Sequence, residues 1–318
     1  MRAQGIPRGL ARACVLRAST SARSAVRVAG RFFCGAQYAE GVALPKSLIG
    51  QTLAERYVPR AIVGRGAMGV VYAADDLRAG ALVAFKALAR QSRDAQRVLR
   101  FEREIEVMRR LSHPSIVALH DFGWLSETEP WFVMELLDGT TLRDRLDRGP
   151  IDTRELAALL APVASALDAI HEAGMVHRDV KPANVLFTPG SDRHVKLGDL
   201  GLALVTDPDL PRLTDRHAIV GSPAYMPPEG LKRRWTPAAD VYALGVVIFE
   251  ALAGRSPFDG SPAEVLIAKS RGVFPRLTEV SLRPVTTEQE ALLAWALARE
   301  PSERPARATE LVAALAKL

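Results

Sequence analysis

Apolar and polar positions begin to alternate in a regular way only after Leu48. Tyr57–Val63, Val70–Ala74 and Leu82–Leu88 are short strand-like runs, separated by glycine turns at Gly66-Ala-Met-Gly69 and Arg78-Ala-Gly80. Two hairpin-linked strands followed by a third predict an antiparallel sheet. Over Arg93–Leu111 the pattern changes period: Val98, Phe101, Ile105, Met108 and Leu111 recur at helical spacing. Trp131–Leu136 predicts one more apolar strand. Beyond Gly139 the pattern is mostly helical, over Arg154–Ala173, Ala239–Gly254, Ala263–Lys269, Glu288–Leu297 and Ala308–Leu318. Pro162 is expected to kink the first of these helices or to mark its start. There is no internal repeat. The expectation is a small sheet-rich half joined to a larger helical half.

Composition changes this picture mainly at the N-terminus. The chain has 318 residues, 48% hydrophobic and 25% charged, which is ordinary globular usage and excludes collagen-like and disulfide-scaffold classes. Its net charge of +6 is local. Residues 1–50 hold seven Arg and one Lys against the single acid Glu40, whereas the other 268 residues carry 34 basic and 35 acidic side chains. The body therefore carries no bulk charge that would attract nucleic acid. Both cysteines, Cys14 and Cys34, lie in the same basic leader, so the body has neither structural disulfides nor thiolate metal sites. The leader is Arg- and Ser-rich and acid-poor, as a mitochondrial-type transit peptide would be, but it lacks the apolar core of a secretory signal. A disordered basic tail, or a stretch upstream of the true start, fits it as well, and a disordered leader over 1–50 is the expectation. The longest apolar stretch, Val241–Ala253, is interrupted by Glu250 and is shorter than the ~20 residues of a membrane span. The body is expected to be cytoplasmic, or organelle-targeted if the leader is a transit peptide.

Candidate chemistry is concentrated in three places. Gly64-Arg-Gly66-Ala-Met-Gly69 has the spacing of a dinucleotide-binding turn, but that turn opens a helix, and here a strand follows. The loop is then either an ordinary tight hairpin or one whose backbone N–H groups lie over phosphates. Lys86, in the apolar run Val83–Lys86, is an edge or snorkelling lysine unless a carboxylate holds it. Glu104, on the side of the next helix that carries Met108 and Leu111, is one such carboxylate; alternatively Glu102, Glu104 and Glu106 only solvate that helix. The strongest run is His177-Arg-Asp179-Val-Lys181-Pro-Ala-Asn184. Asp179 can take a proton from a hydroxyl nucleophile, Lys181 can offset charge on a transferred phosphoryl group, and Asn184 offers Mg2+ a neutral oxygen. Asp199 adds a carboxylate, and Mg2+ takes few carboxylates, completing its shell from phosphate and water.

From about residue 53 to 316 the chain resembles the eukaryotic-type protein kinase family, in the Ser/Thr form found in bacteria. The glycine loop, strand lysine, helix glutamate, HRDVKPAN run and Asp199-Leu-Gly201 occur in the family's order. Gly221-Ser-Pro-Ala-Tyr-Met-Pro-Pro-Glu229, Asp240–Gly245 and Arg304-Pro305 follow them. The resemblance implies an α+β, bilobal fold over 51–318. Its N-lobe, about 53–136, would be an antiparallel sheet with one main helix, and its C-lobe, about 138–318, mostly helical.

The resemblance also implies residue roles. Val63, Gly64, Gly66, Gly69, Val71, Ala84, Met134, Glu135, Leu137 and Leu186 would surround ATP, with the Glu135 carbonyl and Leu137 N–H on the adenine edge. Lys86, paired with Glu104, would hold the phosphates. Asp179 would be the catalytic base beside Lys181, and Asn184 and Asp199 the Mg2+ ligands, with His177 supporting the loop. Lys181 and Ser222 fit a Ser/Thr acceptor rather than tyrosine. Thr214 would be autophosphorylated, with Thr206 as runner-up, and its phosphate would pair with Arg178; a transient homodimer would carry out that reaction in trans. Glu229 and Arg304 would form a buried pair, Asp240 would hold the catalytic-loop backbone, and Gly221–Glu229 would be the peptide platform. Proteins bearing Ser or Thr are the implied substrates. The intact set argues against a pseudokinase scaffold, and the platform and Arg304 argue against a small-molecule kinase of related fold.

Overall fold

The computed structural model describes residues 47–66, 69–88, 105–106, 108–109, 111–126, 129–137, 139–188, 194–199, 204–205, 223–232, 234–258, 260–271, 274–281 and 283–318. Five antiparallel strands form the first layer: β1 (Tyr57–Gly66), β2 (Gly69–Asp76), β3 (Ala81–Leu88), β4 (Leu119–Ser126) and β5 (Glu129–Glu135), in the order β1-β2-β3-β5-β4. Side chains alternate across a pleated strand, so β3 sorts its own residues. Val83, Phe85 and Ala87 join Tyr57 and Trp131 in a core on one face of the sheet; Ala84 and Leu88 join Val71 and Met134 in the core on the other. Period-two alternation puts Lys86 on that second face. Phe85 stacks on Trp131 at 5.1 Å, with Tyr57 edge-on to the Trp131 ring at 5.7 Å.

All four sequence-read strands are longer than expected, and β4 is an addition. Leu48 is buried against the Tyr57 core, and the Gly50 N–H donates to the Pro59 carbonyl, so residues 48–50, expected to belong to the leader, pack with the sheet. Of the predicted helix at 93–111, Ile105, Glu106, Met108 and Arg109 are helical, with Ile105 and Met108 buried under the sheet; residues 93–104 lie outside the described residues.

The second lobe is built on two long helices. After the short α1 (Leu142–Leu146), α2 (Thr153–Glu172) starts where the Asp152 side chain accepts from the Arg154 and Glu155 N–H groups. Pro162 lies inside α2 and does not mark its start. Helix α3 (Pro237–Ala253) is buried from Ala239 to Ala253, the signature of a helix enclosed by its neighbours. It opens with Pro at its first position and stops at Gly254, whose φ of +77° is in the left-handed region. Further helices α4 (Pro262–Ser270), α5 (Leu277–Val280), α6 (Thr287–Ala296) and α7 (Ala308–Leu315) surround it. The last stops three residues short of the expected end. Between the lobes lie short pairings, β6 (Met175–Val176) with β9 (Leu204–Val205) and β7 (Val185–Phe187) with β8 (Val195–Leu197). Among the described residues, no helix is long and apolar enough to cross a membrane.

Candidate active site

The buried carboxylate of Asp240, in the first turn of α3, organises the loop after β6. It accepts the backbone N–H groups of His177 and Arg178, each at 2.8 Å, and the His171 ring nitrogen at 2.8 Å. Burial pushes this carboxyl up, but the His171 hydrogen bond, the imidazoles and the backbone donors more than reverse that and hold it below its ordinary value. Arg178 then takes a φ of +69°, a left-handed conformation that costs a non-glycine residue energy and persists because the Asp240 contacts fix both sides of it. His177 is fully buried. Its Nδ1 accepts the Asp179 N–H at 3.3 Å and its Nε2 donates to the Gly198 carbonyl at 3.1 Å, which assigns the ring proton to Nε2. The ring therefore spans from the loop after β6 to the residue before Asp199.

Asp179 follows, with its carboxylate held by the same loop. Oδ2 accepts from Lys181 Nζ at 2.6 Å and from Asn184 Nδ2 at 3.1 Å; Asn184 Nδ2 also donates to the Asp179 carbonyl at 2.7 Å. A 3-10 turn over Pro182–Asn184 makes this short reach possible, because proline presets its first φ. The Asn184 carbonyl in turn accepts the Gly198 N–H at 2.9 Å, tying the run to the Asp199 segment.

The upper wall comes from the sheet. Lys86 is buried, lies 5.5 Å above the Phe132 ring, and pairs with Asp199 Oδ1 across the two lobes. Burial pushes the Asp199 carboxyl up; the Lys86 ammonium, helped by Lys181 and His177, holds it below its ordinary value. Asp199 also has a left-handed φ, +59°. Around this pair, Val71 is opposite Lys86 and Ala84 opposite Met134 in the strand registers, and Val63, Val71, Ala84 and Met134 are all buried in the same core. Leu137 and Leu186 pack against that core from the second lobe's side. Ile105, Met108, Val117, Leu119, Phe132, Met134 and Asp199 enclose an apolar recess behind it.

Gly64 and Gly66 end β1 and Gly69 opens β2, paired Gly66 to Gly69. At Gly69 a further demand is visible: φ is +145°, and a Cβ there would fall 2.1 Å from the Ala87 carbonyl oxygen of β3. Glu104, Thr206, Thr214 and Ser222 lie outside the described residues, so the expected partners of Lys86 and Arg178 among them are not part of this geometry. Glu229 and Arg304 meet in a two-pronged pair at 2.5 and 2.8 Å, and Arg304 also donates to the carbonyls of Ala238, Ala298 and Arg299.

Contacts of Lys196 and Trp235 were not expected. Lys196 on β8 pairs with the Glu135 carboxylate at 2.6 Å, so the residue whose carbonyl is expected on adenine has its side chain anchored to the other lobe. The alternation Val195-Lys196-Leu197, with only the middle residue polar, is the sequence signal that could have found it. Trp235 lies under the Arg178 guanidinium at 5.4 Å, and nothing in the local sequence marks that pairing.

The donor set suits the groups the resemblance implies. Asn184 spends its Nδ2 on Asp179, so its oxygen end is the one that would reach a cation; with Asp199 this gives one amide and one carboxylate oxygen, a set that matches a magnesium ion sharing phosphate ligands. Lys86 supplies a cation at the same place.

The chain was compared with known proteins. The protein kinase domain family model matches residues 57–314. The serine/threonine-protein kinase PknL of Mycobacterium tuberculosis is 37% identical over 267 residues, covering 83% of this chain and 65% of the relative. PknB of Mycolicibacterium smegmatis is 36% identical, covering 84% of this chain and 44% of the relative. The chain thus spans less than two thirds of the length of these relatives. Among solved structures, the PknI kinase domain of Mycobacterium tuberculosis superimposes with a TM-score of 0.65 at 28% identity, covering 86% of this chain and 99% of that one. Ordered motifs, a five-stranded sheet over a helical lobe and a family match over most of the sequence agree: this chain belongs to the protein kinase domain family.

Proposed function

We propose that the chain transfers the γ-phosphoryl group of ATP to Ser and Thr hydroxyls of proteins, with Mg2+. One observation carries this reading. Two ion pairs from distant parts of the chain, Lys86–Asp199 and Lys181–Asp179, are linked through Asn184, Gly198 and His177 into one connected site. Phosphoryl transfer asks a protein mainly to position two reactants and offset charge, and such a site is built for that. Asp179 takes the proton of the acceptor hydroxyl while that oxygen bonds to phosphorus and the bond to the ADP oxygen breaks. Lys181 and Lys86 offset negative charge on the phosphoryl oxygens. Asn184 and Asp199 would hold Mg2+, which would supply charge neutralisation for the phosphate being transferred. Val63, Val71, Ala84, Met134 and Leu186 would enclose the adenine, with Glu135 and Leu137 on its edge; Gly64, Gly66 and Gly69 would cover the phosphates. The names of the relatives support Ser and Thr as acceptors, as does Lys181. The segment tied down by Glu229 and Arg304 would receive the acceptor peptide. Thr214 would be autophosphorylated in a transient homodimer and its phosphate paired with Arg178.

The test is the full chain with γ-labelled ATP, magnesium and a Ser/Thr-containing protein. Label is expected on the acceptor and on the chain itself, and a folded Asp179→Ala variant is expected to lose at least about 10²–10³ in rate. Full activity in that variant overturns the base assignment, and no label from wild-type protein leaves a binding module of the same fold. Phosphopeptide mapping of the active chain is expected to find Thr214 modified; a fully active chain with unmodified Thr214 removes that role.

A further inference from the structure

We infer that Lys269, on α4, is a positioning residue for the acceptor peptide: it fixes the two carbonyls that flank Tyr225, and through them the surface at Pro223–Pro227 on which that peptide lies. The inference deepens the phosphotransfer reading and rests on it for the identity of what lies there.

Lys269 follows Val265 by four residues, so the two share a face of α4, and both are buried. The position is a core position by helical register, where an apolar side chain is the ordinary occupant. The chain instead carries a lysine exposed to only 3%. Its ammonium donates to the Ala224 carbonyl at 2.5 Å and the Met226 carbonyl at 2.8 Å. It also lies 4.8 Å from the Phe258 ring centre and 5.5 Å from that of Tyr242, so ring faces replace part of the lost hydration. Among the described residues it makes no ion pair with a carboxylate. Burial pushes this amine down to about 7, while the carbonyls and ring faces favour its charged form.

What the amine does with its buried charge is specific. Between its two carbonyls stands Tyr225, whose hydroxyl donates to Glu250 at 2.6 Å and accepts from Arg143 at 2.9 Å. Three residues beyond Met226, Glu229 meets Arg304, and the Arg304 guanidinium covers the Tyr242 ring at 4.9 Å, the same ring that Lys269 approaches. Side-chain ties thus hold Tyr225 and Glu229, and Lys269 donates to the backbone between Pro223 and Pro227. Without it the Ala224 carbonyl and the buried Met226 carbonyl lose this donor, and the segment must shift to find another.

The experiment uses the full chain and its Lys269→Met variant, which keeps length and volume and removes the donors. KM for a Ser/Thr acceptor peptide is expected to rise about tenfold, while KM for ATP stays within twofold. Hydrogen exchange at the amides of Ala224–Gly230 is expected to accelerate in the variant relative to α2 and α3. Unchanged acceptor KM in an active, folded variant overturns the inference, and so does unchanged exchange. If wild-type protein transfers no phosphate, the phosphotransfer reading fails by itself and the exchange measurement still decides whether Lys269 fixes the segment. Should Lys269→Met not fold, Lys269→Gln takes its place: its shorter, neutral amide replaces the ammonium that reaches both carbonyls, so both measurements are expected to shift in the same direction by a smaller factor, and unchanged values overturn the inference.

Discussion

Asp240 is a single residue on which several others depend. Its carboxylate fixes two successive backbone N–H groups and a histidine ring, and through them the left-handed turn at Arg178 that delivers Asp179. Because its folded-state carboxyl lies below its ordinary value, it adds stability above about pH 4 and that contribution is lost as pH falls through the folded value. Asp240→Asn keeps the size but offers only one accepting oxygen and turns an N–H pair toward a donor. It is expected to cost about 1–3 kcal/mol at pH 7, and the gap to wild type should narrow at pH 3. Denaturant titration at both pH values measures this; equal gaps would show that the contribution is not ionic. The acidic residue at the head of an apolar helix was legible in the sequence, and so was its task, because the resemblance supplied it. The His171 partner was not legible, since a histidine late in an amphipathic helix has no pattern of its own.

Among elements, legibility follows length and period. The strands β1, β2, β3 and β5 and the long helices carry enough alternation or helical repeat to be read directly. By contrast, β4 is an edge strand, Leu119–Ser126, with only one of its neighbours' faces to match and two register irregularities; all but two of its residues are half-buried, so no clean alternation survives. The five residues of α1 are too few to show a period, and its start is set by a Thr141–Asp144 capping box. The pairs β6–β9 and β7–β8 are two and three residues long and exist because tertiary packing brings them together. Pro162 left two readings open, a kink or a helix start, and the Asp152 cap excludes the second by placing the start upstream of it. Arg304 joins elements far apart in sequence: it holds the turn at Pro228–Lys232, the start of α3 and the loop after α6 by five hydrogen bonds, with its side chain fully buried. Arg304→Ala leaves Glu229 and three carbonyls without their donor, and a loss of about 3–5 kcal/mol is expected, measured by denaturant unfolding. A loss below 1 kcal/mol would mean that water replaces the guanidinium there.

At the scale of the whole molecule the site exists only where the lobes meet, and its interlobe ties are the part least legible in sequence. Lys86 and Asp199 were each identified, but as ligands of nucleotide and metal; that they pair with one another follows from their placement on facing walls. The Lys196–Glu135 pair is a second tie across the same boundary. If nucleotide and Mg2+ bind as proposed, they exchange the existing Lys86–Asp199 pair for new ones, Lys86 turning to phosphate and Asp199 to the metal. A ligand that bridges both lobes stabilises them together, by about 2.7 kcal/mol at a hundredfold its Kd, or a rise in Tm of roughly 5–10 °C for a domain of this size. Thermal melts with ADP, with and without magnesium, are expected to show a larger rise with the metal. In Asp199→Asn the metal-dependent increment should vanish while the metal-free rise persists, because Lys86, no longer paired to a carboxylate, remains available to phosphate. An increment that survives in Asp199→Asn would place the metal elsewhere; a variant in which both rises vanish would mean that the Lys86–Asp199 pair is what brings the lobes into register for nucleotide.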